Sequence, residues 1–205
     1  MSTSRLPTKI VITGGPSGGK TTLIHALQKE MGGSVSVVPE AASILYHGGF
    51  PRIKSPAGLF HAQRAIYSIQ KELEHLIEKE HPKSQLLICD RGSLDSIAYW
   101  PQSASHFFKN IKTNRKKELA RYQWVIHLDT ASRSYYDTTN PIRTETFNEA
   151  TKLNEKIKKA WSGHPHRLVV SQNKDFVSKM TLSLEVIQAI LDGYSLQQIH
   201  EQLLK

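Results

Sequence analysis

The sequence predicts an α/β fold built on a mainly parallel sheet with helices over both faces. Three observations carry that prediction. Short β-branched runs alternate with longer segments of helical periodicity along the 205 residues. The short runs lack strict polar alternation, which fits strands covered on both sides. A glycine-rich turn joins the first apolar run to the first amphipathic segment.

Taken in order, KIVIT (Lys9 to Thr13) reads as the first strand, followed by the loop TGGPSGGKTT and a helix over KTTLIHALQKEM. SVSVV (Ser34 to Val38) is the second strand. The segment GLFHAQRAIYSIQKELEHLIEKEH sets Leu59, Ala62, Ile66, Ile69, Leu73, Leu76 and Ile77 on one stripe, as a long amphipathic helix does. QLLIC (Gln85 to Cys89), WVIHL (Trp124 to Leu128) and RLVV (Arg167 to Val170) supply three further strands. KNIKTNRKKELAR, Lys109 to Arg121, reads as a basic helix with a solvated face. FNEATKLNEKIKKAW and VSKMTLSLEVIQAILDG are amphipathic helices, the second stopping near Gly193, and a short helix from Ser195 to Leu204 closes the chain. No repeat or linker divides the chain, so one domain is expected over residues 1–205, its core at 8–180 with C-terminal helices at 181–205.

Composition bounds the function. Hydrophobic residues make up 39% and charged residues 22%, which excludes the disordered class. The 27 basic and 18 acidic residues leave a net charge of +9, which favours an anionic partner. The start MSTSRLPTK lacks the apolar core of a signal peptide, and no run reaches the roughly 20 apolar residues that span a bilayer. The lone cysteine, Cys89, excludes an intramolecular disulfide. A soluble, cytoplasmic protein is the expectation.

Gly14-x-x-x-x-Gly19-Lys20-Thr21 satisfies the phosphate-binding loop pattern in full, which arises by chance in roughly one chain per hundred of this length. Gly14, Gly15, Pro16, Ser17, Gly18 and Gly19 let successive N–H groups converge on one cluster of phosphate oxygens. The helix starting at Lys20, Thr21 and Thr22 aims its positive end at the same point. Lys20 is placed to reach the terminal phosphates and Thr21 to ligate Mg²⁺. ATP is the expected nucleotide, and the loop leaves GTP open. A guanine-reading Asn-Lys-x-Asp is missed by one residue in Asn173-Lys174-Asp175.

Acids follow the strands where ligands of such folds bind. Asp90 ends an apolar strand and suits a Mg²⁺ ligand or proton acceptor; Glu40 follows SVSVVP and suits a substrate-hydroxyl contact or general base. Asp129, a third such acid, is assigned to structure. Arg91 points toward the same cleft, for a phosphate contact or an ion pair. The polar stretch ASRSYYDTTNPIRTETFNEA carries Arg133 and Arg143, as an arginine-bearing lid over a transferring phosphate would.

VITGGPSGGKTTLI, VVPEAA, LLICDRGSLDSIAYW and IRTETFNEA together resemble the small-molecule-kinase-like P-loop proteins, in particular the nicotinamide-riboside-kinase-like or AAA-type ATP-binding group, over residues 8–180. The resemblance implies a P-loop NTPase fold: a five-stranded parallel sheet of nucleoside/nucleotide-kinase type. It places the phosphates and Mg²⁺ on Lys20 and Thr21, the general base of deoxynucleoside kinases on Glu40, and the lid arginine on Arg143. Asn173 and Phe176 fall where such kinases pack the adenine. Those kinases carry Glu-Arg-Ser at the third strand, whereas this chain has Asp90-Arg91-Gly92, so both Glu40 and Asp90 stay open as base or metal ligand.

On the acceptor side, Phe60, Gln63, Arg64, Tyr67 and Gln70 of the long helix could stack on or hydrogen-bond a ring, with burial in the helix stripe as the competing role. Trp100 in AYWP reads as core. His164 and His166 lack partners at zinc-site spacing. The expected activity is ATP-dependent, Mg²⁺-assisted phosphotransfer to a small nucleoside- or riboside-like molecule, the alternative being a nucleotide-dependent binding protein. Nucleic acid is not the expected partner, and the sequence sets no oligomeric state.

Overall fold

The computed structural model describes residues 7–131, 146–171 and 175–204. Five strands, β1 (Thr8–Thr13), β2 (Val35–Val38), β3 (Leu86–Asp90), β4 (Trp124–Leu128) and β5 (Arg167–Val170), pair in parallel in the order β2-β3-β1-β4-β5. The register sets Ile10 beside both Ile88 and Trp124. The chain therefore runs outward from β1 to one edge and then to the other. The carboxyl ends of β1 and its two neighbours meet at the crossover point, where such sheets hold ligands.

Successive strand residues face opposite ways, which explains why apolar runs without alternation are needed here. Ile10, Ile12, Ile88 and Ile126 face α1 (Lys20–Met31), α8 (Phe176–Leu191) and α9 (Leu196–Leu203). Val11, Leu87, Cys89 and Val125 face the other layer, with α4 (Asp95–Tyr99) and the Ile157 and Trp161 side chains of and beside α7 (Phe147–Ala160). A satellite cluster of Tyr67, Trp100 and Phe107 joins α3 (Pro56–Glu80) to α5 (Ala104–Asn110). Among the described residues no helix is long and apolar enough to cross a membrane.

Three expectations are corrected. The basic stretch 109–121 is not one helix: α5 ends at Asn110, Lys112 takes φ 55°, and α6 (Arg115–Leu119) restarts behind Asn114. Asn114 Oδ1 accepts the Lys117 N–H at 2.9 Å, a capping bond that competes with helix continuation. Second, Leu76 is 53% exposed, while the polar Gln63, Gln70 and Glu74 are buried on α3. Through Gln70 and Glu74 that helix is packed by hydrogen bonds as well as by its apolar stripe. Third, α3 begins two residues earlier than predicted, because Ser55 accepts the Gly58 N–H at 3.1 Å and Pro56 takes the first turn. VVPEAA adds α2 (Ala41–His47), which starts directly behind Glu40.

Candidate functional site

The glycine loop leaves β1 at Thr13 and turns in a space that admits no side chain at its first step. A Cβ on Gly14, at φ 132°, would lie 1.9 Å from the Leu128 carbonyl oxygen. Gly19 turns at φ 91° into α1, and a Cβ there would sit 2.8 Å from Met180 Cε and 3.2 Å from the Phe176 ring. The start of α8 thus lies against the loop, and Phe176 is brought to the nucleotide side with 48% of its surface exposed. Asn154 of α7 fixes the loop from behind, its Oδ1 accepting the Gly15 N–H at 3.0 Å. Lys20 folds back, donating from Nζ to the Gly15 and Gly14 carbonyls at 2.9 and 3.2 Å. Burial and the nearby Arg91 charge lower its pKa to about 7, against the opposing pull of Asp90, Glu40 and Asp95.

Arg91 follows the last residue of β3 in the left-handed region, φ 70°, its N–H donating to the Ile12 carbonyl at 3.0 Å. Its guanidinium ties three strand ends together. Nε donates to Glu40 Oε1 at 2.6 Å, and Nη1 to Asp95 Oδ2 at 3.2 Å and the Gly14 carbonyl at 3.3 Å. Of the two roles open to Arg91, the ion pair is the one present here. Glu40 also accepts from Ser43 Oγ at 2.5 Å. Burial alone would raise the Glu40 pKa, but Arg91, Ser43 and Lys20 together hold it below the usual carboxylate value. Asp90 moves the other way: burial and the Glu40 charge raise its pKa despite Arg91 and Lys20. Its carboxylate makes no hydrogen bond among the described residues.

Several residues at the site escaped sequence reasoning. Asp95 is 4% exposed and accepts from Thr13 Oγ1 at 2.8 Å and from Trp161 Nε1 at 2.5 Å, besides Arg91. Asn154 also donates to Asp129 at 2.8 Å, and Lys158 Nζ lies 2.7 Å from the same carboxylate. Lys179 donates to the Asp129 backbone carbonyl at 2.5 Å. Asp129 thus anchors α7 and α8 behind the loop and does not line the cleft. Asn154, Lys158 and Lys179 sit inside helices at positions with no motif around them, and Asp95, though within LLICDRGSLDSIAYW, stands past the strand end; the strand-end rule that found Glu40 and Asp90 gives no signal there. Arg133, Arg143 and Asn173 lie outside the described residues.

The loop, Glu40, Asp90 and Arg91 open into one cleft of about 670 Å³. Pro16, Ser17, Gly18, Gly19, Thr21 and Thr22 form one wall; Tyr46, Arg52, Lys54, Gln63 and Gln70 form another. Of the acceptor-side candidates, Gln63 and Gln70 line the cleft, whereas Phe60 and Tyr67 pack with Trp100 and Phe107. Arg64 lies outside the lining, over the Phe60 ring. A larger hollow of about 960 Å³ opens at the other end of the sheet beside Thr8, Trp124 and His166. It contains none of the loop or carboxylate residues, so its size carries no chemistry.

The donor set fits a hard divalent cation. The Thr21 hydroxyl and the Asp90 carboxylate are oxygen ligands in one cleft, and Asp90 is an acid pressed against another acid with no cation hydrogen-bonded to it.

A family model described as an AAA domain matches residues 9–179. No curated protein matches the sequence. Among solved structures, the deoxyadenosine kinase from M. mycoides with bound dATP superimposes with a TM-score of 0.59 at 16% identity, covering 88% of this chain and 99% of that one. Thymidylate kinase from Candida albicans gives 0.60 at 15%, covering 92% and 94%. The NadR protein in complex with NAD and AMP-PNP gives 0.65 at 10%, covering 94% of this chain and 51% of that chain. At these identities the likeness is one of fold, and the narrower riboside-kinase resemblance is not carried by it. The phosphate loop, the sheet order and the family match agree: the chain belongs to the AAA domain family and has the P-loop NTPase fold found in nucleoside and nucleotide kinases.

Proposed function

We propose that the protein transfers the γ-phosphoryl group of ATP to a hydroxyl of a small molecule. The observation that carries this reading is the shared cleft. The phosphate loop, two strand-end carboxylates and a separate wall with amide side chains all border one space of about 670 Å³, within the usual range for small-molecule sites. A nucleotide switch has no use for the acceptor wall.

In this mechanism the loop N–H groups and Lys20 hold the β- and γ-phosphates, and binding draws the Lys20 ammonium off the loop carbonyls. Thr21 and Asp90 would hold Mg²⁺, which offsets phosphate charge when bound. The acceptor oxygen attacks the γ-phosphorus in line; the new O–P bond forms as the bond to the β–γ bridging oxygen breaks, and ADP leaves. The hydroxyl proton passes to Glu40, which Arg91 and Ser43 orient. Its low pKa is tolerable because proton loss comes late in a loose transition state. Arg143, by its place in the sequence, and Arg91 serve the developing charge; Arg133, Asn173 and Phe176 serve the nucleotide.

The test is ADP formation with Mg²⁺-ATP and Mg²⁺-GTP against nucleosides, nucleotides and vitamin-like ribosides. Acceptor-stimulated turnover that Lys20→Ala abolishes is the expected result. Glu40→Gln should cut turnover about 10²–10⁴-fold with nucleotide affinity retained, and a variant with intact turnover removes the base assignment. Tight nucleotide binding without turnover across the panel would overturn phosphotransfer in favour of a nucleotide-dependent binding protein.

A further inference from the structure

The walls of the cleft are unequal in charge. Its acids, Glu40 and Asp90 at the strand ends and Asp95 in the first turn of α4, sit together on one side. Glu40 and Asp95 are both engaged by Arg91 at 2.6 and 3.2 Å, and Asp90 stands beside the phosphate loop. The opposite wall, from α2 to the start of α3, presents Arg52 and Lys54 and no carboxylate among its described lining residues. Neither cation forms an ion pair among the described residues; the acid that feels Lys54 is the exposed Glu149 at the start of α7. Arg52 stands over the Tyr46 ring, its Cζ 4.3 Å from the centroid, and both it and Lys54 are exposed at the mouth of the cleft.

Between the two walls stands Gln63. It is 5% exposed, lines the cleft, and its amide makes no hydrogen bond among the described residues. Its amide atoms are not among the buried groups left without a partner, so they reach the open cleft, where a ligand's polar edge can meet them. The Phe176 and Met180 side chains that approach the loop are not part of this lining, so the space past the phosphates belongs to the acceptor.

We infer that the acceptor is itself phosphorylated: a small molecule whose phosphomonoester is held by Arg52 and Lys54, whose body meets Gln63, and whose hydroxyl reaches the strand-end carboxylates. This rests on the phosphotransfer reading for the hydroxyl's fate, but the anion site stands on its own geometry. A phosphomonoester is close to doubly charged at neutral pH, which matches two cations without ion-pair partners among the described residues, and a guanidinium suits paired phosphate oxygens.

The experiment is equilibrium binding with Mg²⁺ and a non-hydrolysable ATP analogue saturating the loop. The probes are matched pairs that differ only by the phosphate: nucleosides against their monophosphates, and a pentose against its phosphate. The phosphorylated member of at least one pair should bind about ten-fold or more tightly, with the preference shrinking as salt rises. The double variant Arg52→Gln/Lys54→Gln should bring its affinity down to that of the neutral member. Equal binding throughout, or a preference that survives the double variant, overturns the inference. A phosphate preference in binding without ADP formation from ATP would remove phosphotransfer and leave the anion site standing; turnover with neutral acceptors alone would do the reverse.

Discussion

Glu74 lies outside the cleft yet governs its floor. It is fully buried. Its Oε2 pairs with Arg121 at 2.7 Å and Lys9 at 3.7 Å, while Oε1 accepts the Tyr122 hydroxyl at 2.7 Å and the Gln70 amide at 3.0 Å. Those two groups carry the hold onward. Gln70 donates to the Arg91 carbonyl at 3.2 Å, and Tyr122 accepts the Ser93 N–H at 2.9 Å. One carboxylate therefore braces both sides of the turn that sets Arg91 in the left-handed region. Glu74→Gln keeps the shape and removes the charge. Losing one member of a buried pair costs about 3–5 kcal/mol. Arg121 keeps Glu118 at 3.7 Å and Lys9 keeps Glu78 at 3.4 Å, which places the cost at the lower end. About 3 kcal/mol in a protein of this size lowers the melting temperature by roughly 6–12 °C. The new amide NH₂ must face donors at either position, Arg121 and Lys9 or Tyr122 and Gln70, and the displacement this forces loosens the braces, so acceptor-stimulated turnover should fall about ten-fold, since small misplacements are costly in phosphoryl transfer. Tyr122→Phe separates the effects: it removes only the Ser93 brace, costs about 1–2 kcal/mol, and should still slow turnover with nucleotide affinity unchanged. Thermal melts and steady-state rates on the same preparations decide. Melting of Glu74→Gln within about 1 °C of the parent, or full turnover in both variants, would refute the bracing argument.

Other outcomes follow from individual contacts. Gly14→Ala, with its Cβ 1.9 Å from a backbone oxygen, should abolish nucleotide binding, measured by titration calorimetry. Asn154→Leu strips the Gly15 N–H of its acceptor and Asp129 of a donor, so it should lose about 1–3 kcal/mol for each group left unpaired and weaken nucleotide binding, read by melts with and without ATP. Asp90→Asn should raise the Mg²⁺ concentration at half-maximal turnover at least ten-fold, the size expected when a carboxylate ligand is lost. His164 is held neutral mainly by burial, with hydrogen bonds to Tyr122 and His166 opposing. The unfolded chain binds its proton more readily, so this contribution is complete above pH about 6.5 and is lost as pH falls below it; His164→Gln should flatten that part of a melting-temperature profile.

The layout of the fold was legible because it rests on patterns local to each segment. Strands buried on both faces must be apolar throughout, and that signal put β4 and β5 at their observed bounds and β1 to β3 within one residue at each end. Strand order was not legible, since a parallel sheet is assembled by contacts between segments distant in sequence; the five-stranded parallel sheet came through resemblance. Helix α3 shows the limit of periodicity. Its stripe counted Leu76 as buried because leucine usually is, while the packing there is decided by Glu74 and its cationic partners from β1 and the residues after α6. The break in the basic stretch had a local sign, an asparagine before a new turn, but a run of lysines and arginines gave helix propensity enough to mask it.

The site divides the same way. Glycines, a lysine and strand-end acids announce phosphate chemistry because their positions follow from the chain's own geometry. What the side chains do to one another does not follow. Two of the acids, Glu40 and Asp90, and both bases, Lys20 and Arg91, were visible, yet nothing in their spacing assigns Arg91 to Glu40 and Asp95 together while Lys20 turns back onto loop carbonyls. Asp95 gave no such signal, because it stands in the first turn of α4, past the strand end that marks Asp90. Once the pairings are known the remainder is an imbalance. The Arg91 guanidinium is shared between two carboxylates, Lys20 is driven toward neutrality at a pKa of about 7, and Asp90 is left with a raised pKa. A polyphosphate would restore the Lys20 charge and a divalent cation would relieve Asp90. The two requirements have opposite sign, and the magnesium nucleotide proposed above would meet both at once.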